Sequence, residues 1–258
     1  MLKREIIVRW SMKKGVAVLV ASAAAFVIGG CAVTPAVQQD ACRLTEVPKG
    51  DLVMQMPFEI IDGRVFVQAR VNERGPFRFA VDTGASGTAR ADKSLVSALG
   101  LTIHGQASTS DGVHTSNVNT THLRSLELVG LVRQNLDVIT RDYSGRKSPD
   151  AAFFGIVGRD FFADGLLIID YPRKLLSFSR ARGLSPTDKN VLTYERAFRV
   201  PVLIGALQTE GNLDTGANVT FVLPQALFDK VATAPAVQAG RGQLTNVEIE
   251  TRRSTVRG

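Results

Sequence analysis

The chemistry in this chain centres on two aspartates. Phe79-Ala80-Val81-Asp82-Thr83-Gly84-Ala85-Ser86 recurs as Gly211-Asn212-Leu213-Asp214-Thr215-Gly216-Ala217-Asn218, with Asp82 and Asp214 132 residues apart. The register holds without a gap, pairing Val71 with Leu203, Leu95 with Leu227 and Leu99 with Val231. Asp-Thr-Gly is expected by chance roughly 0.1 times in a chain of this length. A lone copy would be an ordinary turn, because Asp and Gly favour turns. Two copies in one register, each behind an apolar residue, are a repeated unit. Two such units related by a pseudo-twofold axis would bring their loops face to face. Asp82 and Asp214 would then share one proton, because two close carboxylates do not both ionise cheaply. One would act as base on a water, and the other, protonated, would polarise a carbonyl. Neither a metal nor a covalent nucleophile is needed.

The elements that must hold this pair are strands. Val65, Val67, Ala69 and Val71 alternate with Phe66, Gln68 and Arg70 at strand period. Asn72-Glu73-Arg74-Gly75-Pro76 is a turn. Phe77, Phe79 and Val81 then run straight into Asp82, at the end of a hairpin's second strand. Asp92 is placed to cap a short helix through Leu99, with Gly100 as its stop. Ser108 to Thr121 is polar and suits a mobile hairpin, with Gly112 at its tip. Leu126–Leu128, Leu136–Ile139, Leu166–Asp170 and Leu175–Phe178 read as strands, the last two around a Tyr171–Lys174 turn.

Here the sequence resembles the aspartic peptidases of the pepsin and retropepsin superfamily, and most closely bacterial retropepsin-like lipoproteins with two lobes in one chain. Both Asp-Thr-Gly-Ala motifs carry the resemblance, together with Ile156-Val157-Gly158 and the Arg159-Asp160-Phe161-Phe162 behind it. It covers about residues 52–258. It implies an all-β fold of acid-protease β-barrel lobes, 52–180 and 197–258, joined by a linker over 181–196. It implies an aspartic-type endopeptidase without cofactor, whose partner is a peptide or protein substrate. Asp82 and Asp214 become the catalytic pair. Thr83 and Thr215 would bond across to the opposite loop, while Gly84 and Gly216 let backbone approach the carboxylates. Gly158 would support the Asp82 loop from behind. Ser86 and Asn218 take the places of substrate-backbone contacts, and Gly112 that of the flap tip. Ala85 and Ala217 stand where pepsins have Ser, which removes a hydroxyl from each carboxylate and predicts a milder acid optimum. The flap lacks the aromatic residue typical of pepsins.

Asp214 is followed by 44 residues, and the second copy has no counterpart of Gly155–Phe178. The expectation is a C-terminally incomplete record of a longer protein, or else a shortened second lobe. In the latter case the first lobe would homodimerise on two copies of Asp82. A third reading keeps the fold as a peptide-binding envelope protein without turnover.

Composition supports a globular exported chain. Hydrophobic residues make 45% and charged residues 21% of 258, which excludes wholesale disorder. Of the net +7, +4 sits in residues 1–30, from Lys3, Arg4, Arg9, Lys13 and Lys14 against Glu5. The basicity is a leader effect, and no nucleic-acid partner is expected. A basic stretch, the apolar run Gly15–Ile28 and Gly29-Gly30-Cys31 read as a signal peptide over 1–30. Ile28-Gly29-Gly30-Cys31 resembles a lipobox, which implies lipidation at Cys31, a tether over 31–51 and anchoring on the periplasmic face of the outer membrane. Cys42 is then a free thiol, an intermolecular partner, or one half of a bond to a segment outside this sequence. His104, His114 and His122 lack metal-ligand spacing and suit a solvated hairpin. Ser144-Gly145-Arg146-Lys147 matches Ser-x-x-Lys without its companion motifs and reads as a loop. Arg252, Arg253 and Arg257 suit a solvated face.

Overall fold

The computed structural model describes residues 4–9, 17–23, 48–110, 115–143, 152–188, 191–194, 197–218, 223–244 and 247–253. The architecture is all-β, of the acid-protease kind. Strands β3 (Leu52–Pro57), β4 (Glu59–Ile61), β5 (Arg64–Val71) and β6 (Arg74–Asp82) open the first lobe. They are followed by β7 (Ala89–Asp92), helix α1 (Lys93–Leu99), β8 (Ile103–Ser110), β9 (Thr115–Leu128), β10 (Leu131–Arg141) and β11 (Gly155–Gly158). These strands, β3 apart, form an eight-stranded sheet in the order β4-β5-β6-β11-β7-β10-β9-β8. Added pairing of β5 with β9 (Arg70 opposite Glu127, Val71 opposite Leu126) curls the sheet toward a barrel.

The local chemistry explains the elements. Val65, Val67, Ala69 and Val71 turn inward and are 2% exposed or less. They meet Phe79, Leu123, Leu126, Leu128 and Phe161 in the main core. Phe66 faces the other way, into a small cluster with Ala80, Ala85, Phe153 and Ile156 by the Asp82 loop. Asp92 caps α1 by accepting the Ser94 N–H at 2.9 Å, and Gly100 ends it in the left-handed region at φ 63°.

A second sheet lies against the barrel. It takes β12 (Leu166–Asp170), β13 (Leu175–Ser179) and β14 (Val191–Tyr194), and its order is β14-β2-β1-β12-β13-β3. β12 is buried along its whole length, as its unbroken apolar run demands. β1 (Arg4–Arg9) and β2 (Ala17–Ala23) fall inside the stretch that reads as a leader. They form a hairpin whose β1 pairs with β12 and whose β2 pairs with β14. The segment that reads as a linker thus carries a strand, β14. Cys31, Cys42, Gly112, His114 and Ser144–Lys147 lie outside the described residues.

The second copy repeats the first. β15 (Arg199–Ile204) and β16 (Leu207–Asn212) form a hairpin that ends at the Asp214 loop. Helix α2 (Gln225–Val231) stands 132 residues after α1 at both ends. β17 (Val237–Leu244) and β18 (Val247–Arg253) pair as a hairpin where the first copy has β8 and β9.

Candidate active site

β6 delivers Asp82 to the start of a loop, and β11 runs parallel beside it with Gly158 opposite Asp82. The loop is fastened from behind. Gly158 N–H donates to the Thr88 carbonyl at 3.0 Å, and Arg159 N–H to the Ala85 carbonyl at 3.1 Å. The Arg159 guanidinium donates to the Gly84 carbonyl at 3.1 Å, and the Asp160 carboxylate accepts the Gly87 N–H at 2.9 Å. A side chain at 158 would strike the Gly87 carbonyl, which explains the glycine there.

Asp214 follows β16 in the corresponding place. Leu213 N–H holds that loop to the Phe198 carbonyl at 3.1 Å. The turn between β4 and β5 also reaches it. Arg64 Nε donates to the Gly216 carbonyl at 2.7 Å, and Arg64 Nη1 bonds Asp62 at 2.6 Å. Asp62 in turn accepts from Asn218 Nδ2 at 3.0 Å.

The two loops are tied crosswise. Thr83 Oγ1 donates to the Leu213 carbonyl at 2.9 Å and accepts the Thr215 N–H at 3.1 Å. Thr215 Oγ1 donates to the Val81 carbonyl at 2.7 Å and accepts the Thr83 N–H at 3.1 Å. Both threonines are buried, at 3% and 6% exposure, so these four bonds are shielded from competing water. Each hydroxyl thus satisfies one donor and one acceptor of the opposite loop.

The tie brings each carboxylate against the other loop's glycine. A Cβ on Gly84 would lie 2.6 Å from Asp214 Cγ, and one on Gly216 would lie 2.6 Å from Asp82 Oδ2. Only glycine fits either place. Asp82 Oδ1 accepts the Ala85 N–H at 2.9 Å, and Asp214 Oδ1 accepts the Gly216 N–H at 2.8 Å.

Electrostatics separate the two. The Asp82 carboxyl is pushed from 3.8 up to about 6, first by burial, then by the charge of Asp214 and a hydrogen bond with it. The Ala85 N–H and the charge of Arg90 oppose this. Asp82 therefore holds a proton where an ordinary aspartate has lost it. What the arrangement can do is acid–base work on a water between two carboxylates, one of them protonated.

Beside the Asp82 loop, Ser86 lines a cavity of about 410 Å³ with Thr88, Arg90, Ser108 and Thr109. The β8–β9 hairpin thus supplies part of its wall through Ser108 and Thr109. At its base His122 Nδ1 lies 3.0 Å and His104 Nε2 3.6 Å from Asp137. His104 and His122 both stay solvated, at 43% and 42% exposure, with the exposed Asp137 carboxylate of β10 beside them. Sequence reasoning brought Asp82, Thr83, Gly84, Gly158, Asp214, Thr215 and Gly216 together, and they do meet. Asn218 bonds Asp62. Missed altogether were Arg64, Asp62 and Arg90. The Asp62-Gly63 pair before Arg64 is a hairpin signal, but nothing local tells where Arg64 reaches.

A barrel lobe with an Asp-Thr-Gly loop held open by glycine and backed by an Ile-Val-Gly strand defines an acid-protease lobe. Residues 67–161 match the family model described as Aspartyl protease, which supports an aspartic peptidase family for that lobe. No curated protein matches the chain.

Proposed function

We propose that this chain is an aspartic endopeptidase whose catalytic pair is Asp82 and Asp214. The observation that carries this reading is the crosswise threonine tie, which sets each carboxylate against the opposite glycine. Asp82, more deeply buried, holds the shared proton and donates it to the carbonyl oxygen of a bound peptide. Asp214 takes a proton from water as the water oxygen attacks the carbonyl carbon. The tetrahedral diol collapses when the nitrogen of the leaving group gains a proton and the C–N bond breaks. That leaves a carboxylic acid, an amine and the pair as it began. Ser86 and Asn218 flank the substrate strand, and the β8–β9 hairpin closes over it.

The substrates are extended segments of proteins or peptides in the cell envelope. Residues 1–30 direct export, and Cys31 carries the lipid that holds the enzyme to the periplasmic face of the outer membrane. Cleavage before Cys31 removes β1 and β2 from the second sheet. Intact mass measurement of protein recovered from membranes checks this: an N-terminus at Cys31 with acyl mass is expected, and an unprocessed Met1 or Met12 start refutes it.

The peptidase reading is tested with a mixed peptide library from pH 3 to 7. Wild type should cleave it, with activity falling as pH rises through about 6, where Asp82 loses its proton. Asp82→Asn should lose cleavage yet still bind peptides. A folded wild type that binds but never cleaves would instead make the protein an envelope peptide-binding module.

A further inference from the structure

Beside the Asp82 loop lies a partly buried cation, Arg90, that forms no close ion pair among the described residues. Among the described residues, Nε of Arg90, Nε of Arg141 and the hydroxyl of Tyr143 are buried without a well-aligned hydrogen-bond partner, although the Arg90 guanidinium stands close enough to the phenol to act on it as a donor. They form one group, because the charges of both arginines act on the Tyr143 phenol. Its place follows from register. Arg90 on β7 stands opposite Ile156 on β11 and Ile139 on β10, and Ile156 stands opposite Ala80 on β6. Ala80 precedes Asp82 by two residues, so it shares a strand face with the carboxylate. Arg90 thus sits one row below the Asp82 loop, between two isoleucines.

Such a residue is expensive. A guanidinium among apolar neighbours loses hydration and needs a partner to offset the loss. No aspartate or glutamate forms an ion pair with Arg90 among the described residues, although its charge reaches Asp82. The cavity of about 410 Å³ beside the loop has Arg90 in its wall, with hydroxyls from Ser86, Thr88, Ser108 and Thr109. The carboxylate of Asp137 also borders it, but its side chain is 72% exposed and is drawn to His122 and His104.

We propose that this cavity is a subsite for an acidic side chain of the substrate, a Glu or Asp near the scissile bond, whose carboxylate pairs with Arg90. The planar guanidinium offers paired donors that match a carboxylate, and Arg141 adds positive potential behind it. This proposal rests on the peptidase reading for its turnover assay, but not for its binding assay.

The test uses the full chain and peptides that carry Glu or Gln at one position at a time. At pH 5 the Glu side chain is ionised and Asp82 still holds its proton. Wild type should favour Glu over Gln at one position by about tenfold in kcat/KM. Arg90→Gln should bring that ratio to about one, and Arg90→Lys should keep part of it. Equal cleavage of Glu and Gln peptides at every position overturns the subsite and leaves the peptidase reading standing. If wild type cleaves nothing, the peptidase reading fails instead, and fluorescence anisotropy with the same labelled peptides decides the subsite. Tighter binding of a Glu peptide supports it, and equal or absent binding overturns it. Should Arg90→Gln not fold, the wild-type ratio and Arg90→Lys carry the test.

Discussion

The two Asp-Thr-Gly loops have the same sequence and different support. The Asp82 loop leans on β11 through Gly158, on Arg159 at the Gly84 carbonyl and on Asp160 at the Gly87 N–H. Among the described residues, the Asp214 loop has the Phe198 carbonyl, Asp62 at Asn218 Nδ2, and Arg64, which reaches across from the first copy to the Gly216 carbonyl. Each glycine carbonyl therefore receives a guanidinium, but from different places in the fold. One loop is built into its own sheet, while the other is held largely by its partner. A repeat can thus conserve chemistry at the motif while its scaffolding diverges, provided that the crossed threonines keep the two carboxylates together.

Substitutions can break this comparison, from the largest effect downward. Gly84→Ala and Gly216→Ala each place a methyl group against the opposite carboxylate. Both should cut kcat/KM by about 10²-fold or more, measured on one cleaved peptide, because the pair is forced apart. Near-normal rates in either would mean that the loops are not in contact. Thr83→Val and Thr215→Val each strand a buried donor and a buried acceptor on the other loop. Chemical denaturation should show a loss of about 2–4 kcal/mol for either. A loss in one alone would show that the tie is one-sided.

Asp82→Asn should do the opposite to stability. The folded carboxyl holds its proton up to about pH 6, against 3.8 ordinarily. The folded state binds more protons in that window, so stability falls as pH rises through it, and the penalty is complete above about 6. Asn carries no charge. The variant should gain on the order of 2 kcal/mol at pH 7 and nothing below about pH 3.8, by thermal unfolding across pH. A gain that does not change with pH would sever the raised proton affinity from burial. The smallest contrast concerns the two arginines. Arg64→Met should lower kcat about tenfold through the poorly supported loop, and Arg159→Met should lower it less, because β11 remains. The reverse order would mean that the Asp214 loop leans less on Arg64 than the Asp82 loop does on Arg159.

Much of this was legible in the sequence because the signals were local. The helix cap at Asp92, the stop at Gly100 and the hairpin into Asp82 are matters of neighbouring residues. The repeat carried that reading to the second copy, where α2 falls in register. What escaped depends on distant placement. Arg64 meets Gly216 across 152 residues and Asp160 meets Gly87 across 73. Arg90 sits at an alternating strand position like any surface arginine. Only the pairing of β7 with β10 and β11 puts it in the row below the Asp82 loop. β14 escaped for a related reason: four residues between polar turns pair only because a sheet edge is there to receive them.

The central claim is that Asp82 and Asp214 work as one pair. Asp214→Asn tests it most directly, because Asp82, its loop and the whole first lobe stay intact. Cleavage of a single peptide at pH 5 by this variant should fall by about 10³-fold or more against wild type. Activity close to wild type would contradict the account and point to two copies of the first lobe meeting on their own Asp82 loops.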